Sequence, residues 1–302
     1  MGKLIRSNLT NIVKCIPYYI ALAMVICIST IIASSYLDYE HFPAFPSDLF
    51  SVMISNETLI AIIVLAVVPF VIGSDFDGGM IRNKIVAGFS KGTIYLSSFI
   101  TAWISVMVLT IASVSFCVLT VIYEAGLDTV KNWFTDSDFV RSFWLIVLFQ
   151  VLVFTALTSA ATAVTMICNK KGVAVIGSLI VFFIGGMFSD NIRQYATTTD
   201  PYTIYLNGNN EEVKERNPYY LEDGTFKKDM CIAADSFNVI YQVSDPPIFI
   251  DEEYYESLDE DSLTEFGITR FTYSSCYIVG DVAFTAVAYA IGVLVFKKRN
   301  LK

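Results

Sequence analysis

Apolar positions in this chain are bunched into long runs rather than spaced at a helix or strand period. Six runs are present, at roughly 16–35, 52–73, 93–122, 141–168, 173–189 and 272–296. About 20 apolar residues carry a helix across the bilayer core, so the pattern predicts an all-α polytopic membrane protein with six transmembrane helices. The second run is short when counted from Leu59 to Gly73, and its helix is expected to begin earlier, with Ser47 or Asp48 as N-cap. Pro69 is expected to kink the other end of that helix. The third and fourth runs exceed the bilayer core and should tilt or project beyond it.

Two amphipathic stretches stand beside these runs. Residues 2–15 put Leu4, Ile5, Leu9, Ile12 and Val13 on one helical stripe, with Lys3, Arg6, Asn11 and Lys14 around it. This reads equally as an interfacial helix or as the polar flank of the first span. The first run itself is longer than the apolar core of a secretory signal and is followed by further spans, so it is expected to remain as a membrane helix. The second stretch, Ser74–Leu96, carries Arg82, Lys84 and Lys91. Behind its paired glycines, Phe76, Met80, Ile81, Ile85 and Phe89 recur at helical intervals, which predicts a short amphipathic helix at roughly Asp77–Phe89.

Composition agrees: 55% of residues are hydrophobic and only 16% are charged. The net charge of −9 is unevenly placed, because residues 190–270 hold 18 acidic and 6 basic side chains and the rest of the chain is slightly basic. Nothing in that distribution suits nucleic acid, which rewards clustered Lys and Arg. The N-terminus and residues 74–92, 169–172 and 297–302 together hold twelve Lys and Arg against Asp75 and Asp77. The alternate loops are poor in cations, so the positive-inside rule puts both termini in the cytoplasm and residues 190–270 outside.

The acidic segment has aromatic-rich stretches at 202–206, 237–243 and 247–250, separated by turn-forming residues at 207–210, 222–224 and 245–247. Residues 251–265 have the composition of an acidic capping helix. A small mixed α/β extracytoplasmic domain between helices 5 and 6 is therefore expected, giving a division into 1–189, 190–271 and 272–302. Its Tyr and Phe content favours a folded core over a tether.

Candidate chemistry is sparse. The single histidine, His41, has no second ligand or helical partner at metal-binding spacing, and no metal site is expected. No phosphate-binding loop of the form GxxxxGK followed by Ser or Thr occurs, so the chain is not expected to be an enzyme and any ATP dependence must come from another subunit. Asp281 falls within the sixth run. It reads either as the polar lining of a translocation path or, if the span is shifted, as a residue of the outer interface. Gln150 precedes the small-residue run Thr155–Thr165, whose main expected role is close helix packing, with Gln150 a secondary candidate for the path. Cys231 and Cys276 lie in or beside the acidic segment and are a possible disulfide if that segment is extracytoplasmic.

Phe76, Asp77, Gly78, Gly79, Met80, Ile81, Arg82, Asn83, Lys84, Gly88, Ser90 and Lys91, followed by Tyr95 and Leu96, form a pattern that resembles the first cytoplasmic loop of the type-2 ABC exporter permeases. Lys91 stands for the more usual Arg, and Gly79 stands where a Gly-Thr pair is often seen. The acidic segment is longer than the re-entrant hairpin common in that family. The resemblance implies a transmembrane subunit of a bacterial plasma-membrane exporter that pairs with a second permease chain, identical or not, in contact with membrane lipid. It further implies two ATPase subunits on the cytoplasmic side, which would hold the ATP and magnesium, none being bound by this chain. The short helix would be the coupling helix, with Phe76, Asp77, Met80, Ile81, Arg82, Asn83, Lys84, Phe89 and Lys91 as contact candidates. A reading from another class is a membrane sensor or scaffold whose external domain binds a ligand or peptide without transport.

Overall fold

A computed structural model describes residues 1–39, 46–77, 79–168, 170–206, 212–236, 239, 242 and 270–298. Within the first 200 residues the helices are α1 (Gly2–Val13), α2 (Ile16–Tyr39), α3 (Pro46–Ser55), α4 (Glu57–Asp77), α5 (Met80–Val86), α6 (Lys91–Ala125), α7 (Leu127–Trp133), α8 (Ser137–Cys168) and α9 (Lys171–Thr197). A hairpin of β1 (Tyr202–Leu206) and β2 (Glu212–Arg216), α10 (Phe226–Ser236) and α11 (Arg270–Lys298) follow. Six segments are long and apolar enough to cross a membrane: Ile16–Ser35, Val52–Phe76, Lys91–Ala125, Phe139–Cys168, Lys171–Ala196 and Tyr277–Lys298. The protein is an all-α multi-pass membrane protein in its spanning part.

The main core joins α2, α4, α6, α8, α9 and α11 through residues such as Val25, Val64, Val106, Phe154, Phe182 and Phe296. Polar side chains inside it are held by nearby backbone or by one another. Tyr18 donates to the Ser105 carbonyl at 3.1 Å, the Ser29 and Ser113 hydroxyls lie 2.8 Å apart, and Trp103 Nε1 donates to Thr155 Oγ1 at 2.8 Å. The small-residue stretch of α8 packs as its composition suggests, since Ser159 donates to the Thr285 carbonyl of α11 at 3.0 Å. Close approach is greatest at Gly292, where an added Cβ would stand 2.1 Å from Tyr95 Oη and 2.9 Å from Ala163 Cβ.

The third and fourth spans are long helices. The 35 residues of α6 and 32 of α8 carry a second apolar cluster at their far ends, built with α2, α3 and α7 from Leu49, Phe50, Val121, Val130, Phe139 and Phe143. Phe50 stacks on Phe139 at 5.0 Å, and Phe134 meets both Phe139 and Phe143 edge-on. The helix α7 within this cluster lies in what reads from sequence as a plain loop. The early start expected for the second span takes the form of a separate helix, α3, joined to α4 at Asn56.

The fifth span runs further than expected, to Thr197 rather than residue 189, because no Gly or Pro interrupts residues 189–197 and α10 packs along that extension. Tyr195 lies against Tyr219 at 5.4 Å, and Lys227 sits 5.3 Å over the Tyr195 ring. Of the acidic segment, the described parts are the antiparallel hairpin, with Tyr202 opposite Arg216, and α10, whose Lys228 is buried in an ion pair with Asp223. Val239 joins the main core. The turn at 222–224 is formed, with Gly224 at φ 71°. His41, the turns at 207–210 and 245–247, the stretch 247–250 and the acidic stretch 251–265 lie outside the described residues.

The packing at Gly292 generates a stability prediction. Gly292→Ala should lower the detergent-solubilised protein's unfolding stability by about 1–3 kcal/mol, the usual range for overpacking, whereas Gly172→Ala, which meets nothing within 4 Å, should leave it nearly unchanged. Thermal unfolding followed by intrinsic fluorescence compares the two, and equal midpoints would contradict the packing.

Candidate functional site

The basic loop between α4 and α6 is built around a helix of seven residues, shorter than the expected span of 77–89. Glycine sets both limits. Gly79 takes the left-handed conformation at φ 64° before Met80, and Gly88 takes φ 89° after it, where the amides of Gly88 and Phe89 close back on the Ile85 and Lys84 carbonyls at 2.9 and 3.1 Å. Ser90 then caps α6 by accepting from the Thr93 amide at 3.2 Å. The chain thus makes two sharp reversals within about a dozen residues and leaves little slack between the two spans.

Lys84 fastens α5 to the bundle. Its ammonium donates to Asn8 Oδ1 of α1 at 2.8 Å and forms a short ion pair with Asp75 at the end of α4. Only 10% of the Lys84 side chain and 6% of the Asp75 side chain are exposed, so the pair is largely dry. A cleft of about 10 Å³, room for one water, opens beside it between Asn8, Asn11, Asp75, Ser98 and Thr101. The contact with Asn8 also makes α1 part of the assembly rather than a free polar flank, and α1 buries Leu4 and Ile12.

The loop residues divide into two faces. Ile81 is buried, Phe76, Ile85 and Phe89 pack against the main core, and Phe76 meets Phe296 edge-on at 6.4 Å. Lys91 donates to the Lys297 carbonyl at 3.0 Å, satisfying an acceptor at the last turn of α11. Phe76, Ile81, Lys84, Phe89 and Lys91 are therefore turned toward their own chain, and Met80 is half-buried. Arg82 and Asn83 project outward, joined by Val86, which is 80% exposed and which sequence reading passed over. The side chain of Asp77 and all of Gly78 lie outside what is described.

A second polar group lies at the opposite end of α4. Asp281 is 0% exposed, and Gln150 and Glu57 are each 4% exposed. Gln150 Nε2 donates to the Met53 carbonyl at 3.3 Å. Gln242, 1% exposed, covers Asp281 from the segment between α10 and α11. With its amide nitrogen facing the carboxylate it donates to both oxygens at 3.2 Å, whereas the reverse orientation sets oxygen against oxygen. Next to Glu57, Asn56 donates to the Val52 carbonyl and to Cys117 Sγ at 3.0 and 3.1 Å. Sequence reasoning singled out Asp281 and Gln150, and both are buried, as is Glu57 at the start of α4. The missed signal was an acid directly before the apolar run 59–73, which reads as a span's polar edge.

Cys231 carries a free thiol. The Cys276 side chain lies outside the described residues. Among the described residues no three His, Cys, Asp or Glu side chains gather where they could hold a metal ion. The helices define a multi-pass membrane protein. Its sequence matches no family model and no curated protein.

The clamp on α5 can be tested by mutation. Lys84→Met strands the Asp75 carboxylate and should cost about 3–5 kcal/mol, the usual penalty for breaking a buried pair. Arg82→Ala should change stability by less than about 0.5 kcal/mol, as for an exposed site. Asp75→Leu combined with Lys84→Met should recover much of the loss, and thermal unfolding in one detergent ranks all three.

Proposed function

We propose that this chain is the transmembrane permease subunit of an ATP-driven ABC exporter, in which α5 is the coupling helix. The observation that carries the reading is the construction of the loop: a short helix, held between glycine turns and bolted to α1 and α4 through Lys84, presents Arg82, Asn83 and Val86 outward. A lever that transmits force needs rigid attachment on one face and a free face for its partner, and α5 has both. The resemblance of residues 76–91 to the first cytoplasmic loop of type-2 exporter permeases supports the same reading.

In this reading two ATPase subunits bind ATP and magnesium and dock on α5, and the chain itself is not an enzyme. Two permease chains, identical or not, make the complex in a bacterial plasma membrane. The charge distribution supports a cytoplasmic location for both termini and α5, and an extracytoplasmic one for the hairpin and α10. Asp281 and Gln150, being buried, would serve a substrate path only after the bundle opens. The alternative, a sensor or scaffold with an external binding domain, is distinguished by the lack of any ATPase partner.

Arg82→Glu and Val86→Asp should each abolish co-purification of a nucleotide-binding subunit from mild detergent while leaving the permease inserted and its unfolding midpoint unchanged. Phe89→Asp should instead destabilise the permease itself, because Phe89 packs inward. Mass spectrometry of the purified wild-type complex supplies the reference. A wild-type preparation without any nucleotide-binding subunit, or full association in both outward-face variants, would sink the proposal.

A further inference from the structure

The helix α10 is turned inside out for part of a water-facing domain. A surface helix in water puts its apolar stripe against the fold and its charges outward. Among the described side chains of α10 the buried ones are Lys228 and Asp235, seven residues apart and so on one face, whereas Phe226 and Met230 on the opposite face are 79% and 56% exposed. Ala233 and Ala234 extend that outward stripe, and the exposed Lys227 and Asp229 flank it. Lys228 is held inward by its ion pair with Asp223 and by donating to the Thr198 carbonyl at 3.5 Å.

The neighbours of α10 set its depth. The fifth span, Lys171–Ala196, has 26 residues, about 39 Å of helix at 1.5 Å per residue, which matches a bilayer together with its headgroup layers. Tyr195, next to the end of that span, is therefore at headgroup level, where Tyr rings and snorkelling Lys side chains settle. Tyr195 packs on Tyr219 and lies under Lys227, in the first turn of α10. Beyond the other end of α10, Val239 is buried in the core of the spanning helices, and Gln242 donates to Asp281 near the start of the sixth span. Both ends of α10 are thus tied to the terminal turns of spans. The helix it packs along, α9, turns Met187 and Phe188 outward within a span, where the surrounding solvent is lipid.

We propose that α10 is an interfacial membrane helix, with the stripe of Phe226, Met230, Ala233 and Ala234 seated in the acyl chains of the leaflet that adjoins the end of α9. The inference rests on the six spans crossing a bilayer and stands independently of the coupling-helix reading. An amphipathic helix in this position lies in the plane of the membrane, its apolar face at the boundary of headgroups and acyl chains. Lys227 and Asp229, at the margins of the stripe, then reach the headgroups, and Lys228 and Asp235 stay on the side of the bundle. Lipid supplies the apolar contact that the protein does not give Phe226 and Met230.

Photocrosslinking of the full chain in vesicles of phosphatidylcholine and phosphatidylglycerol tests this. The photoreactive residue p-benzoylphenylalanine replaces Phe226 or Met230, one at a time, and the same replacement at Met187 of α9 and at Glu215 of β2, both exposed, gives the lipid and water references. Mass spectrometry of the irradiated intact protein should find phospholipid adducts at positions 226 and 230 in a yield comparable to that at 187 and several-fold above that at 215. Should the probe at one of the two α10 positions prevent folding, the other reads the same outcomes. With position 187 labelled by lipid, a yield on α10 no higher than at 215 overturns the proposal. Crosslinks from α10 confined to its own chain, or to a second copy of it, overturn it as well.

Discussion

The Lys84–Asp75 pair is the contact on which the basic end of the molecule depends. Without it α5 would be a seven-residue helix between two glycine turns, far too short to persist by itself. The ammonium draws together α1 through Asn8, α4 through Asp75 and α5 through its own backbone. Three elements that the apolar core could leave loosely related are thereby fixed to one point. The same constraint decides which loop residues are free. Once Lys84 points inward, the helical repeat turns Ile81 and Ile85 inward beside it and throws Arg82, Asn83 and Val86 out.

At the other end the constraint is the cost of burying polar groups. Asp281, Glu57 and Gln150 lie on three different helices, and each is too polar to face lipid. The amides answer this cost, Gln150 by donating to the Met53 carbonyl and Gln242 by donating to Asp281. Gln242 supplies donors to Asp281, and Val239, three residues earlier, joins the apolar core.

The spanning helices were legible because runs of apolar residues of bilayer length have few alternative fates, and α6, α8 and α11 lie close to where the runs place them. Local chemistry was harder to read. The expected helix at 77–89 shrank because Gly79 and Gly88 are free to adopt positive φ, and a hydrophobic repeat does not reveal which glycine does so. Lys84 looked like its neighbour Arg82, a loop cation, and only the fold shows that Asn8 and Asp75 wait beneath it. Glu57 was not singled out from the sequence, and only the fold shows it buried at the start of α4. Helix α7 went unseen because its apolar positions are few, and its place depends on Phe139 and Phe143 of α8.

The two polar centres share a helix. Glu57 is the first residue of α4 and Asp75 lies in its last turn, separated by roughly 27 Å of helix at 1.5 Å per residue. Between them α4 is buried on most of its surface by Ile60, Val64, Val67, Val68 and Val71, packed against α8 and α9. A helix so enclosed does not bend freely along its length, although Pro69 removes one backbone hydrogen bond near the Asp75 end. A displacement imposed on α5 enters α4 through Lys84 and Asp75. Where α4 moves as a body, Glu57 at its far end moves with it. The physical link between α5 at one end and the buried Glu57 at the other is thus a single secondary-structure element, and its stiffness is set by core packing rather than by either polar group.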